Sequence, residues 1–312
     1  MSAQQNSPIA SVSLTEPMDQ LADKLGRSFE EYGFAIVADH GIDPALIERA
    51  EQMSKAFFEL PEDAKRAYFV TGGGGARGYT PFKTEVAKGY EKKDLKEFWH
   101  IGRTLAAGHP LEAYMQPNVW PNEVEGFRET FEALFAAFDE AGRRILTAIA
   151  IHLDLAPDWF DATVKDGNSV MRLLHYPPID NADGAVRAAP HGDINTITLL
   201  LGAEEAGLEL LSRQGEWIPV QPPKNALAVN IGDMLSRLTN DRLRSTIHQV
   251  RNPTGEAALR SRYSMPFFLH FRPDFVIETL PGCINAAHPD QYPDSLTAHD
   301  FLAIRLKEIG LM

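Results

Sequence analysis

Val170-Met171-Arg172-Leu173-Leu174-His175-Tyr176 opens a series of short apolar runs separated by turn residues, which continues at 195–201, 207–211, 217–220, 226–231, 245–251 and 262–271. Runs this short and this regularly spaced predict a β-sandwich or jelly roll. Upstream of about residue 168 the pattern differs. In 17–32, Met18, Leu21, Leu25 and Phe29 recur at helical spacing, and Gly33 to Val37 reads as a buried strand. Asp43-Pro44 supplies an N-cap and a first-turn proline for the next helix, and Pro61 ends that helix or opens another. The clearest helix is 124–153, where Phe127, Phe131, Leu134, Phe138, Ala141, Ile145 and Ile149 hold one face. Roughly 296–310 returns to helix. The expected architecture is mixed α and β, with helices covering a β core whose mouth holds the site.

Composition narrows the function. The chain has 312 residues, 44% hydrophobic and 23% charged, enough to build a sizeable core. Its 30 basic and 43 acidic residues give a formal net charge of −13, spread along the chain, which disfavours nucleic acid and anionic membranes as partners. The single cysteine, Cys283, excludes an intrachain disulfide, thiolate zinc sites and iron–sulfur clusters. No signal-peptide pattern or apolar run of bilayer length is present, so the expectation is a soluble, cytoplasmic protein.

Three clusters carry chemistry. In His191-Gly192-Asp193, residues i and i+2 of an extended backbone face one side, with glycine relaxing the chain between them. His248 lies in Ser245-Thr246-Ile247-His248-Gln249-Val250, an apolar strand whose one inward imidazole needs a partner. It is either a core histidine bonded to backbone or a third ligand from a facing strand. Two imidazoles and one carboxylate leave positions open, a set that suits non-haem Fe(II). Arg262 and Ser264 share a face of a third apolar strand. A buried guanidinium there needs an anion, either an internal acid or a small carboxylate ligand clamped with the hydroxyl's help.

These motifs, in this order, resemble the isopenicillin N synthase-like branch of the 2-oxoglutarate/Fe(II)-dependent dioxygenases, and the resemblance covers most of the chain. It includes Gly33-Phe34, Asp39-His40-Gly41-Ile42, Phe57-Phe58-Glu59-Leu60-Pro61, Gly78-Tyr79 and Asp94-Leu95-Lys96-Glu97. It continues through Leu174-His175-Tyr176-Pro177-Pro178, His191-Gly192-Asp193, Trp217-Ile218-Pro219, Asn230-Ile231-Gly232-Asp233 and the segments around His248 and Arg262. The resemblance implies a distorted double-stranded β-helix (jelly-roll) core at 165–275, after an N-terminal dioxygenase module at 1–120 and a scaffold helix at 121–164, with a C-terminal helical segment at 276–312. It implies His191, Asp193 and His248 as Fe(II) ligands and as the catalytic centre, with Arg262, Ser264 and Tyr176 on the distal carboxylate of 2-oxoglutarate. Leu174 stands where many relatives have Asn, which removes one polar contact to that cosubstrate.

The implied reaction oxidises a small organic molecule with O2, most simply by hydroxylation, and forms succinate and CO2. Phe268, Arg172, Arg77, Tyr79, Lys83 and Glu85 are candidate substrate contacts. Gly72 to Gly75 is a candidate lid that lacks the residues of a phosphate loop. His40, His152, His175, Asn230 and Asp233 read as structural. Three rival readings stay open: an Fe(II) oxidase of the same fold that ignores 2-oxoglutarate, a zinc hydrolase, and a non-catalytic module that binds 2-oxoglutarate or iron.

Overall fold

The computed structural model describes residues 8–71, 75–86, 92–179, 182, 184–201 and 207–308. Strands β1 (Ser11–Ser13), β2 (Phe34–Ala38), β3 (Gly78–Thr80) and β4 (Glu97–Gly102) are interspersed with helices α1 (Met18–Glu31), α2 (Pro44–Phe58) and α3 (Glu62–Arg66). Helix α4 (Phe127–His152) and the short α5 (Asp161–Val164) lead into β5 (Val170–Tyr176), β6 (Ala188–His191), β7 (Ile197–Leu201), β8 (Leu208–Leu211), β9 (Trp217–Pro219) and β10 (Leu227–Ile231). Then come α6 (Asp233–Leu238), β11 (His248–Val250), β12 (Arg262–Ser264), β13 (Pro266–Leu269), the small pair β14 (Val276–Ile277) and β15 (Leu296–Thr297), and α7 (Ala298–Glu308).

The strands form a nine-stranded sheet in the order β1-β2-β10-β7-β13-β5-β4-β3, with β12 also on β5, and a four-stranded sheet β6-β11-β8-β9. Together they make a distorted jelly roll. Only β1 on β2 is parallel within these two sheets. The strands from the first 120 residues are built into the large sheet: β2 pairs with β10, and β4 pairs with β5.

Alternation along β4 and β5 sorts the two faces of the large sheet. Trp99, Ile101, Met171 and Leu173 belong to the main core on the helix side, while Phe98, Leu174 and Tyr176 form a separate cluster on the other side. Helix α4 lies across the core side. Phe135 and Phe138 flank Phe267 with ring centroids at 4.9 and 5.4 Å. Gly142 allows the close seating: a Cβ there would stand 2.5 Å from Leu269 Cδ1.

Several expectations shift at their ends. The run expected at 245–251 contracts to β11, and the run at 262–271 splits into β12 and β13. Strand β6 arises where no run was expected. Pro190 is tolerated there because β6 is an edge strand. Pro61 opens α3.

Candidate active site

Strand β6 delivers His191 at its C-terminal end, and the neighbouring β11 places His248 directly opposite it in antiparallel register. The two rings stand 4.5 Å apart. Asp193 follows β6, beyond the strand, with Oδ1 3.9 Å from His191 Nε2 and 3.8 Å from His248 Nε2. All three side chains offer a ligand atom within 4.8 Å of one another, the one such group among the described residues. The expected facing strand is in fact the adjacent one, and Asp193 reaches the site from a turn. Gly192 does not adopt the left-handed conformation; a Cβ there would lie 3.2 Å from Ser245 Oγ and 3.4 Å from Asp233 Oδ1.

Hydrogen bonds prepare each ligand atom. His191 Nδ1 is 2.7 Å from the Ala189 carbonyl and His248 Nδ1 is 3.0 Å from the Thr246 carbonyl. A carbonyl can only accept, so each Nδ1 carries a proton, which leaves Nε2 as the atom that can present a lone pair to a metal. Asp193 Oδ2 accepts from Thr198 Oγ1 at 2.6 Å and Asn230 Nδ2 at 2.8 Å, leaving Oδ1 to face the imidazoles. Burial, followed by the neighbouring His248, lowers the His191 pKa to about 4, so this ring is neutral at pH 7. Burial pushes the Asp193 carboxyl up, but the two imidazoles and its hydrogen bonds outweigh that, and its pKa falls below the ordinary value. Two imidazoles and a carboxylate whose free atoms converge form a donor set suited to a divalent cation.

His191 and Asp193 open onto a cavity of about 960 Å³. Phe268, Val170, Ile194 and Ile247 supply apolar wall, and α7 adds Leu302 and Leu306. Arg305 ties α7 to the site through Asp233 at 2.9 Å, and the Asp233 amide donates to the Asp193 carbonyl at 2.7 Å. Asp233 is thus a brace between helix and ligand turn.

The other expected site residues separate into three groups. Arg262 and Ser264 lie on β12 opposite Tyr176 and Leu174 of β5. All four are buried, and the Arg262 guanidinium lies 5.1 Å from the centre of the Tyr176 ring. They stand outside the lining of the large cavity. Leu174 packs with Phe98 and Tyr176, so apolar contact steadies the tyrosine ring where a polar side chain was expected in relatives.

Phe268, Arg172, Arg77 and Glu85 do line the cavity. Arg172 and Glu85 are committed to each other at 3.3 Å, however, and Lys96 joins them with its ammonium 2.6 Å from Glu85 and 2.8 Å from Asp94. Arg172 also donates to His100 at 2.5 Å. Burial and then Arg172 hold His100 well below its ordinary pKa, which suits an acceptor.

Tyr79 and Lys83 correct the sequence reading. Tyr79 is fully buried, and its hydroxyl donates to Glu97, and to Glu62 at 3.2 Å, because β3 turns this ring toward the helix side. Lys83 is exposed, with its ammonium 5.5 Å from the Phe82 ring centre. Neither lines the cavity. Of the glycine run, 72–74 lies outside the described residues; Gly75 accepts from His100 Nδ1 at 2.5 Å.

Among the histidines read as structural, His175 bonds Glu97 at 2.6 Å, His40 bonds the Asn225 carbonyl at 2.9 Å, and His152 bonds Glu30 at 2.9 Å. Asn230 was also read as structural but stands against Asp193. Thr198 and Lys96 passed without a role. Lys96 had a visible signal: together with Asp94 it places two charges on the strand face that continues as Phe98 and His100.

Comparison with known proteins agrees with this geometry. Residues 167–271 match the 2OG-Fe(II) oxygenase superfamily, and 8–123 match the family described as non-haem dioxygenase in morphine synthesis N-terminal. A 2-oxoglutarate-Fe(II) type oxidoreductase of Emericella nidulans is 35% identical over 294 residues, covering 91% of this chain and 83% of the relative. The crystal structure of a putative 2OG-Fe(II) oxygenase family protein from Caulobacter crescentus superposes with a TM-score of 0.91 at 52% identity, covering 97% of this chain and 99% of the other. A full-length Neurospora crassa protein, solved in complex with alpha-KG and thymine, superposes with a TM-score of 0.85 at 28% identity and 98% coverage of both chains.

Proposed function

We propose, since this chain belongs to the 2-oxoglutarate/Fe(II)-dependent oxygenase superfamily, that His191, Asp193 and His248 hold the iron and that Arg262, Ser264 and Tyr176 hold the distal carboxylate of 2-oxoglutarate. The enzyme is an oxidoreductase acting with Fe(II), 2-oxoglutarate and O2 on a small molecule. The hydrolase reading falls with that membership. No described helix is long and apolar enough to cross a membrane.

The observation that carries the assignment is the state of the three donor atoms. Both Nε2 lone pairs and Asp193 Oδ1 converge, while every other polar atom of the three side chains is already bonded to protein. The set fits Fe(II), with three protein ligands on one side and positions left for cosubstrate and O2. When bound, iron and 2-oxoglutarate supply oxidising power, as O2 is reduced, the cosubstrate becomes succinate and CO2, and a substrate C–H bond is hydroxylated.

The protein's residues do the positioning. Thr198 and Asn230 fix the rotation of the Asp193 carboxylate, and the Ala189 and Thr246 carbonyls fix the two ring tautomers. Arg262 and Ser264, with Tyr176 opposite, give a planar cation and hydroxyls to a carboxylate. Phe268, Ile194 and the α7 leucines give the substrate side an apolar portion that limits water.

Anaerobic titration of metal-free protein tests this. A visible charge-transfer band is expected only when Fe(II) and 2-oxoglutarate are both present. Bound Fe(II) without that band would instead favour the oxidase that ignores 2-oxoglutarate. The same titration checks the support for Asp193. Asn230→Ala is expected to weaken Fe(II) binding by about tenfold to a hundredfold, the usual consequence of losing a partner behind a ligand. Wild-type Fe(II) affinity in that variant would show that the hydrogen bond does not tune the site.

A further inference from the structure

The cavity wall carries four cationic side chains, and three are answered by acids. Lys96 has Glu85 and Asp94, Arg172 has Glu85, and Arg305 has Asp233. Arg77 has no acid among the described residues. It is 2% exposed and lies flat against β4, where a Cβ on Gly102 would stand 1.9 Å from its Cζ. Its Nε donates to the Gln116 carbonyl at 3.0 Å and its Nη1 to the Ala76 carbonyl at 2.7 Å. Its Nη2 is buried with no hydrogen-bond partner. Glu112, another acid of the lining, is exposed and accepts instead from the Gly108 amide at 3.0 Å.

A guanidinium buried among neutral groups carries a desolvation cost that a counter-charge would offset. Burial lowers the pKa of Arg77 only to about 10, so it remains a cation at neutral pH. Arg77 shares the cavity with His191 and Asp193, and His270 of the same wall feels the charge of both Asp193 and Arg77. Arg262 and Ser264, assigned above to 2-oxoglutarate, stand outside that lining, so the cosubstrate's distal carboxylate does not answer Arg77. On the same wall Asn168 has a buried Oδ1 without a partner, a second polar feature for a ligand to meet. Phe268, Val170 and Ile194 add apolar surface to the same wall.

We propose that Arg77 receives a carboxylate of the substrate, so that the molecule oxidised is a small, largely apolar organic acid. The inference rests on the oxygenase reading of the site and names the substrate class within it. Arg77 would bind the acid end while the apolar wall carries the remainder toward the ligand triad.

The test compares matched probes by isothermal titration calorimetry at pH 7, on the full chain with saturating 2-oxoglutarate and anaerobic Fe(II). The probes are phenylacetate, octanoate and cyclohexanecarboxylate, each against its primary amide. At least one acid is expected to bind tenfold or more tighter than its amide. That preference should fall to within twofold in Arg77→Gln and persist in part in Arg77→Lys. Equal binding of every acid and its amide to the wild type overturns the proposal, whether or not the variants fold. So does an acid preference that survives intact in Arg77→Gln. The charge-transfer band, recorded on the same samples, separates the two claims. A normal band without acid preference removes only the role of Arg77, whereas acid preference without a band keeps the anion subsite and removes the oxygenase reading.

Discussion

Asp193→Ala is expected to abolish 2-oxoglutarate turnover by the pure, iron-loaded protein while leaving its far-ultraviolet circular dichroism unchanged. The variant removes the one anionic donor of the triad. It leaves two imidazole donors, which bring no negative charge to offset that of a divalent cation in a buried site. Losing a group behind a ligand costs about tenfold to a hundredfold in affinity, and losing the ligand itself should cost more. The fold should survive, because Asp193 lies in a turn after β6 and its backbone carbonyl still accepts from the Asp233 amide. Thr198 and Asn230 lose an acceptor but retain a hydrogen bond to Asn195 and space for water respectively. Succinate release and iron content, measured on one preparation, decide the matter. Full activity at wild-type iron occupancy would remove Asp193 from the ligand set.

Arg262→Ala is expected to raise the half-saturating 2-oxoglutarate concentration by roughly thirtyfold or more, with Fe(II) binding little changed. Truncating one partner of a buried, hydrogen-bonded charge pair costs about 2–5 kcal/mol. Each 1.4 kcal/mol is about a factor of ten in affinity. Arg262 sits opposite Tyr176 on the pair β12–β5, whereas the proposed iron ligands come from β6, β11 and the turn after β6. The two effects should therefore separate. A parallel loss of iron affinity would mean that Arg262 supports the triad, and an unchanged 2-oxoglutarate requirement would contradict the clamp.

Legibility followed periodicity. Helices α1 and α4 were plain because one face of each is apolar throughout. Strand β4 was not, because the buried Glu97 interrupts the pattern, and β3 was not, because its three residues follow a glycine-rich stretch. Glu97 looks like a surface residue until Lys65 at 2.8 Å and His175 at 2.6 Å are seen to hold it. The cluster of His191, Asp193 and His248 was legible as a candidate ligand set because the two histidines interrupt short strands and the aspartate stands two residues from one of them. Its supports were hidden: a threonine within Ile197–Leu201 reads as core, and only the alignment of β10 beside β7 brings Asn230 opposite Thr198 and both to Asp193. Tyr79 was misplaced for the converse reason. It follows a glycine-rich stretch and looks like a loop residue, yet it sits on a strand that turns it inward.

The seams between β2 and β10 and between β4 and β5 bear on how such an enzyme changes its diet over evolutionary time. A detachable recognition cassette could be exchanged whole between lineages. Here an exchange of the first 120 residues would tear two antiparallel seams, and with them the Glu85 and His100 that meet Arg172 in the cavity wall. Chimeras cut at that boundary should inherit broken sheets rather than new appetites. Novelty has to come residue by residue, from positions such as Phe268, Ile247 and the inner face of α7, where a side chain can change without moving a strand.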